Sequence, residues 1–400
     1  MLPSLTSLRS MHSVVGVVTV VTVLLSHLQQ ACAFDPAVQP PAAAAAPVTA
    51  SVTFRSPSFH VYIEDTDAYG VMYNANYLRA YERAMHIVSF KPPSYVTSIH
   101  RGGADHDVSH GDESSLDLLD GGALDHAGWF VLGVTDHKFK GSPPLGGEYI
   151  VEGELMERSC DEDNACLEEW KLVMRSPDIL SDGEDEDDNA KPTIYNTASL
   201  TIASPSRSGE LPPHYHPTAP PFDESSGAIV RSIFEPYRDE FDPTLPHRMP
   251  LRNVLNLFER ARTDYLGGPD ALRKMESEDN VVWVVTSVDN CELCNLREAG
   301  WEEEERNVDD NDDSPTSLVQ CLPGQSVTVK TNFVSKRGGM ILDCNQMLLV
   351  PAWDETLKTY RNRRLAQATI SIMALDAQKR RPTRKIPEWF VDKINGDGSY

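Results

Sequence analysis

Residues 61–84 read VYIEDTDAYGVMYNANYLRAYERA, and the two parts of this stretch obey different spacings. From Tyr77 onward the apolar side chains fall at Tyr77, Leu78, Tyr81, Ala84, Met85 and Val88. That three-and-four spacing predicts an amphipathic helix of about three to four turns. Ahead of it, Asp65, Asp67 and Gly70 punctuate a segment without a period, which reads as a loop entering the helix. A carboxylate in such a loop lies near backbone N–H groups that have no partner in the helix and near the positive end of its dipole.

The pattern occurs twice. At an offset of 177, residues 60–88 match residues 237–265 at Asp65/Asp242, Met72/Met249, Asn76/Asn253, Leu78/Leu255, Glu82/Glu259, Arg83/Arg260 and Ala84/Ala261. The second copy keeps the helical spacing in Val254, Leu255, Phe258, Ala261 and Tyr265, so the chain contains an internal repeat. Between the copies, residues 204–227 hold six prolines among Ser, Gly and His, a composition that supports neither helix nor sheet and reads as a linker.

Runs rich in Val, Ile and Thr follow each helix, at 129–139, 148–157, 166–175 and 193–203, then at 281–291, 325–334, 340–350 and 367–375. Short strands precede the helices near 58–64 and 231–237. Each half therefore reads β-α-β-β-β-β. Consecutive strands without crossover helices predict an α+β class, a mainly antiparallel five-stranded sheet against one long helix. The expected boundaries are a first domain at 52–203, the linker at 204–227 and a second domain at 228–395.

The D-T-D-x-x-G-V-x-Y run, Asn76-Tyr77 and Tyr81-Glu82-Arg83-Ala84 closely resemble the start of the hotdog thioesterases typified by 4-hydroxybenzoyl-CoA and short-chain acyl-CoA thioesterases. Residues 138–148, Phe258-Glu259-Arg260-Ala261-Arg262 and the ending ATISIMALDAQKRRPTRKIP are similar to the same family. The resemblance implies two hotdog domains in tandem, paired within one chain, hydrolysing acyl-CoA or acyl-carrier-protein thioesters. It places Asp67 at the family's catalytic aspartate, acting as nucleophile or as general base on water. Gly70, Tyr73, Asn74 and Asn76 fall on the substrate and oxyanion side of that site. Many relatives have His where Asn74 stands. The chemistry needs a base or nucleophile and oxyanion donors, and neither a metal nor an organic cofactor.

Aligned by the Phe258-Glu259-Arg260-Ala261 segment, Thr244 stands where Asp67 does, His247 replaces Gly70 and Pro250 replaces Tyr73. The second half accordingly reads as catalytically silent. Glu82 and Glu259 occur in both halves, each followed by Arg, and read as partners in structural ion pairs or hydrogen bonds. Two other functions fit a hotdog chain: a non-catalytic acyl-binding or interaction protein, and a dehydratase. The latter needs a His paired with a carboxylate, and no His lies in 61–84.

Arg9, the apolar run Val14–Leu25 and Ala31-Cys32-Ala33 form a secretory signal over residues 1–33. An uncleaved signal anchor is the alternative; twelve apolar residues are short of the roughly twenty that span a bilayer. Phe34 directly after the cleavage site resembles the bipartite targeting sequence of algae with secondary plastids, which implies a transit segment over 34–51 and delivery to the plastid through the secretory pathway. Secretory or endomembrane residence is the alternative.

With 36 Lys and Arg against 60 Asp and Glu, the 400-residue chain carries −24, a field that repels phosphate backbones and argues against nucleic acid as a general partner. Much of this charge sits in 178–189 and 297–313, which read as solvated loops. Cys291 and Cys294 form a C-x-x-C without the second pair a zinc site needs; a redox-sensitive pair is a further reading. Cys160 and Cys166 flank an acidic turn at a spacing compatible with a hairpin disulfide. The basic run Lys379–Lys385 reads as a solvated tail or as a contact for a CoA or carrier-protein phosphate. No P-loop, dinucleotide fingerprint or G-x-S-x-G elbow occurs. Acyl-chain length, the choice between CoA and carrier protein, and any higher homo-oligomer stay open.

Overall fold

The computed structural model describes residues 50–66, 72, 74–90, 96–101, 129–161, 165–177, 192–204, 215, 217, 222, 229–241, 248–294, 319–354 and 356–395. The targeting segment, Asp67, Gly70, Tyr73, both acidic stretches, Asp242, Thr244 and His247 lie outside these residues. Among the described residues no helix is long and apolar enough to cross a membrane.

The first half runs β1 (Ala50–Arg55), β2 (Phe59–His60), a 3-10 turn (Ile63–Asp65), α1 (Asn74–Phe90), β3 (Val96–Arg101), β4 (Phe130–Phe139), β5 (Glu148–Cys160), β6 (Cys166–Arg175) and β7 (Ile194–Ser204). The second half runs β8 (Ile229–Phe234), a 3-10 turn (Arg238–Glu240), α2 (Leu251–Tyr265), α3 (Gly268–Asp279), β9 (Val281–Leu293), β10 (Val327–Lys336), β11 (Ile341–Asp354), β12 (Thr359–Asp376), β13 (Arg381–Pro382) and α4 (Glu388–Asn395).

The strands form one sheet in the order β3-β1-β5-β6-β7-β4-β9-β12-β11-β10-β8, antiparallel throughout. This corrects the expectation of one five-stranded sheet per half: the two run together as a single sheet. The order β1-β5-β6-β7-β4 repeats as β8-β10-β11-β12-β9, and the halves join where β4 pairs with β9, from Gly133 opposite Glu292 to Lys138 opposite Ser287. The physical reason is the edge: β4 and β9 would each end a sheet with an unpaired ladder, and pairing satisfies both. Joining through equivalent strands is the single-chain form of a two-fold dimer contact. The first half also carries β3 outside β1, and the expected strand near 58–64 shrinks to Phe59–His60 before the 3-10 turn.

The predicted helical faces are the buried ones. Tyr77, Leu78, Tyr81, Ala84 and Met85 of α1, and Val254, Leu255, Phe258, Ala261 and Tyr265 of α2, are essentially inaccessible and belong to one apolar core spanning both halves. Each large side chain so buried contributes roughly 1.5–3 kcal/mol before entropy costs. The two helices also pack on each other, and Glu82 of α1 forms an ion pair with Arg252 of α2. Gly153 on β5 is required by its neighbour: a Cβ there would stand 2.1 Å from the ring of Phe54, which lies across β5 and contacts Trp170. In the proline-rich segment, Tyr215 is buried against Leu132 and Ala203 and donates its hydroxyl hydrogen to the Leu293 carbonyl at 2.6 Å.

Candidate functional site

The two ends of the 67–71 segment are fixed by described residues. On its N-terminal side, the Tyr62 N–H donates to the Asp65 carboxylate at 3.0 Å, closing the 3-10 turn. Thr66 and Met72 form an isolated antiparallel bridge across the segment. The Met72 N–H donates to Ser142 Oγ at 2.9 Å, and the Tyr77 hydroxyl donates to the Gly141 carbonyl at 3.0 Å. The turn after β4 thus braces the start of α1. Asn76 spends its side-chain amide on the Asp65 carbonyl at 3.1 Å, so it ties helix to turn.

Asn74 is the first residue of α1 and is 6% exposed. Its Oδ1 accepts the Ala75 N–H at 2.7 Å, whereas its Nδ2 is buried with no hydrogen-bond partner. A buried donor left unmatched costs about 1–3 kcal/mol, and such groups in folded proteins call for an explanation. Here the donor stands at the positive end of a 17-residue helix, one residue beyond Tyr73.

Beneath α1 lies a polar layer that the sequence did not single out. The Tyr81 hydroxyl donates to Asn196 Oδ1 on β7 at 2.5 Å, and Asn196 Nδ2 is buried without a partner. His137 on β4 is fully buried against Tyr77, Tyr81 and Phe139, and neither ring nitrogen makes a well-formed hydrogen bond. Desolvation pulls its pKa down to about 3, opposed in part by the Asn196 side chain. The pairing of β4 with β7 slips by one residue between Thr135 and Lys138, where Asp136 has φ +50°. This bulge turns His137 inward. The one hint in the sequence was the polar pair Asp136-His137 interrupting an apolar strand.

The second half repeats the frame in a different register. The Tyr237 N–H donates to Glu240 at 2.8 Å, and the Asn253 amide donates to the Glu240 carbonyl at 2.7 Å. Glu240, not Asp242, is therefore the counterpart of Asp65. The turns align at an offset of 175 and the helices at 177, so the connecting segment of the second half is longer by two residues. Counted from the turn, Asp242 follows Phe241 as Asp67 follows Thr66; counted from the helix, Thr244 is the match. At the helix start the difference is chemical. Pro250 precedes α2, and Leu251, 1% exposed, takes the place of Asn74.

The motif arginines serve the scaffold. Arg260 pairs with Glu240 at 2.9 Å. Arg83 lies against Tyr149, whose hydroxyl burial pushes to about 12 while Arg83 opposes the shift. Cys160 and Cys166 are joined in a disulfide across the β5–β6 hairpin. Cys291, Cys294, Cys321 and Cys344 are buried and outside any disulfide. Burial raises the Cys291 thiol well above its ordinary range and the Cys321 and Cys344 thiols to about 12, which leaves them neutral and poorly nucleophilic. Among the described residues no cluster of His, Cys, Asp or Glu could hold a metal ion. Within the basic run, Lys379–Arg381 and Arg384–Lys385 are exposed.

No known family matches the sequence, and no curated protein does. Solved structures similar in shape include a putative oleoyl thioesterase from Lactobacillus plantarum (TM-score 0.45, 10% identity, covering 80% of this chain and 96% of that one). Another is the 12:0-ACP thioesterase from Umbellularia californica (TM-score 0.41, 13% identity, covering 80% and 93%). A third, from Mycobacterium tuberculosis, is described as a double hotdog fold (TM-score 0.33, 11% identity, covering 61% and 75%).

Proposed function

We propose that this chain is a tandem double-hotdog thioesterase with one active site, in the first half, hydrolysing acyl-CoA or acyl-carrier-protein thioesters. The observation that carries the reading is the buried, unpartnered Nδ2 of Asn74 at the first residue of α1, beside a segment whose ends are pinned by the Thr66–Met72 bridge and Ser142. The motif resemblance over 61–84 and the repeated strand order around two central helices support it.

In this reading the thioester carbonyl oxygen accepts from Asn74 Nδ2 and lies at the positive end of α1, where charge developing on the oxygen is stabilised. Asp67 either attacks the carbonyl carbon or takes a proton from the attacking water. The C–S bond breaks, the thiol leaves with a proton, and water supplies the oxygen of the released carboxylate. Asn76 positions the loop by holding the Asp65 carbonyl rather than touching substrate. The second half completes the sheet and helix packing. Its helix begins with a proline and a leucine where donors would be needed, so it adds no second centre.

An acyl-CoA and acyl-carrier-protein panel read by release of free thiol tests the proposal. Saturable turnover of at least one class, abolished by Asp67→Asn, is expected. Binding of acyl thioesters without turnover would instead establish a non-catalytic acyl-binding protein.

A further inference from the structure

Two segments of the second half meet at one end of the sheet and gather cations on a chain whose net charge is −24. β11 stops pairing with β12 at Ile341 opposite Met373, and β13 takes over the vacated edge, with Pro382 opposite Leu375. The Ala374 N–H donates to the Met340 carbonyl at 2.9 Å, and the Thr383 N–H donates to the Ala374 carbonyl at 3.0 Å. The β10–β11 turn therefore abuts β13, and Gly339 of that turn lies against Ile386. Arg337 in the turn and Arg381, Arg384 and Lys385 beside it are all exposed. Among the described residues none of these four forms an ion pair, whereas Asp343 holds Lys336 and Asp376 holds Lys379.

The same end of the sheet carries the candidate site. Lys138 of β4 stands opposite Ser287 of β9, and Ser287 opposite Ser371 of β12, which runs on from there to Asp376. The chain leaves β4 through Gly141 and Ser142, the residues that brace the start of α1. From β4 across β9 and β12 to β13 is three strand spacings, about 14 Å.

We propose that this patch binds the 3′-phosphoadenosine diphosphate end of coenzyme A. The second half would then hold the leaving group of the thioester that the first half cleaves. The ligand brings about four negative charges in three phosphates, against four unpaired cations. Three of these are guanidinium groups, whose planar fork matches phosphate oxygens. The pantetheine arm runs about thirteen bonds from sulfur to phosphorus, a little over four peptide units, so it extends to roughly 15 Å and covers the separation. A carrier protein brings a single phosphate on the same arm. Its interface, typically ~800 Å² a side, would spread from the patch onto the exposed carboxylates Asp279, Glu388 and Asp392. That the bound CoA is the leaving group rests on the thioesterase reading; its binding does not.

Isothermal titration of the full chain with free CoA at low salt tests this, with pantetheine and a phosphopantetheinylated acyl carrier protein as comparison ligands. CoA should bind at one site per chain, and each comparison ligand at least tenfold more weakly. Arg337→Gln, Arg381→Gln, Arg384→Gln and Lys385→Gln together should weaken CoA at least tenfold, with the thermal melt unchanged because the four side chains are exposed. Arg381→Lys with Arg384→Lys keeps the charge and should stay within about threefold of wild type. Failure of CoA to bind, equal binding of pantetheine, or wild-type affinity in the fourfold variant would overturn the proposal. Tighter binding of the carrier protein, lost in the fourfold variant, would assign the patch to a protein face and overturn it equally. CoA binding by a chain that turns over no thioester would sink the thioesterase reading and leave this site standing; turnover of acyl-CoA with KM unchanged in the fourfold variant would do the reverse.

Discussion

Asn74 and Leu251 hold the same place in the two halves, the first residue of the long helix, and both are buried. One brings an unmatched amide to the helix start, the other a hydrocarbon. The repeat has thus kept its scaffold at this position and diverged in its chemistry.

Exchanging the two chemistries is a direct probe. Asn74→Leu should lower kcat by about 10²–10³-fold, the usual loss on removing one oxyanion donor. Thermal stability should change little, because losing the Oδ1 acceptor of the Ala75 N–H is offset by removing a buried donor that makes no bond in the free protein. A thiol-release assay paired with a thermal melt separates the two effects; a large drop in melting temperature would mark Asn74 as structural.

His137 should make stability depend on pH. Its folded pKa of about 3 lies below its ordinary 6.5, so the unfolded chain takes up a proton that the folded chain refuses. The stabilisation is present above pH 6.5 and is lost as pH falls toward 3, at about 1.4 kcal/mol per unit. Urea denaturation at pH 7 and pH 4.5 should show wild type losing about 2–3 kcal/mol more than His137→Phe. Equal losses would mean that His137 titrates in the fold.

The Glu82–Arg252 ion pair links the two central helices, with the carboxylate largely buried and the guanidinium partly open to solvent. Glu82→Ala should destabilise by roughly 1–3 kcal/mol, less than for a fully buried pair. Arg252→Met with Glu82→Leu together should cost less than the sum of the two single changes, because neither charge is then stranded. Strict additivity in a double-mutant cycle would show the pair to be energetically idle.

For the targeting segment we propose plastid delivery. A fluorescent fusion of residues 1–60 should reach the plastid of a host with secondary plastids, and Phe34→Ala should divert it. Unchanged delivery of the variant would remove the plastid proposal and leave the signal peptide intact.

The helices and most strands were legible because their periods are strong. The run 166–175 is β6 residue for residue, and the apolar stripes of α1 and α2 are the buried ones. What escaped was set by tertiary contact. The single sheet depends on β4 meeting β9, which neither strand's own alternation encodes. The Asp65/Asp242 match was an identity by chance of register: the hydrogen bonds of Asn76 and Asn253 put Glu240 opposite Asp65. At the site, Asp67 and Asn74 came from the motif, but the orphaned amide of Asn74 and the inward turn of His137 are consequences of packing and a bulge. Arg262 was read only as part of a family-like segment, and its burial against Gln346 needed the fold.

The central claim is that one carboxylate in the first half performs the chemistry. The most direct test is steady-state thiol release by the full chain carrying Asp67→Asn, with Asp242→Asn and Thr244→Ala as the two alternative second-half alignments. Losing a positioned base or nucleophile should lower turnover at least ~100-fold in Asp67→Asn, with folding unchanged. Both second-half variants should stay within about threefold of wild type, as is usual for changes outside a reacting centre. Full activity in Asp67→Asn, or an equal loss in Asp242→Asn, would contradict the account.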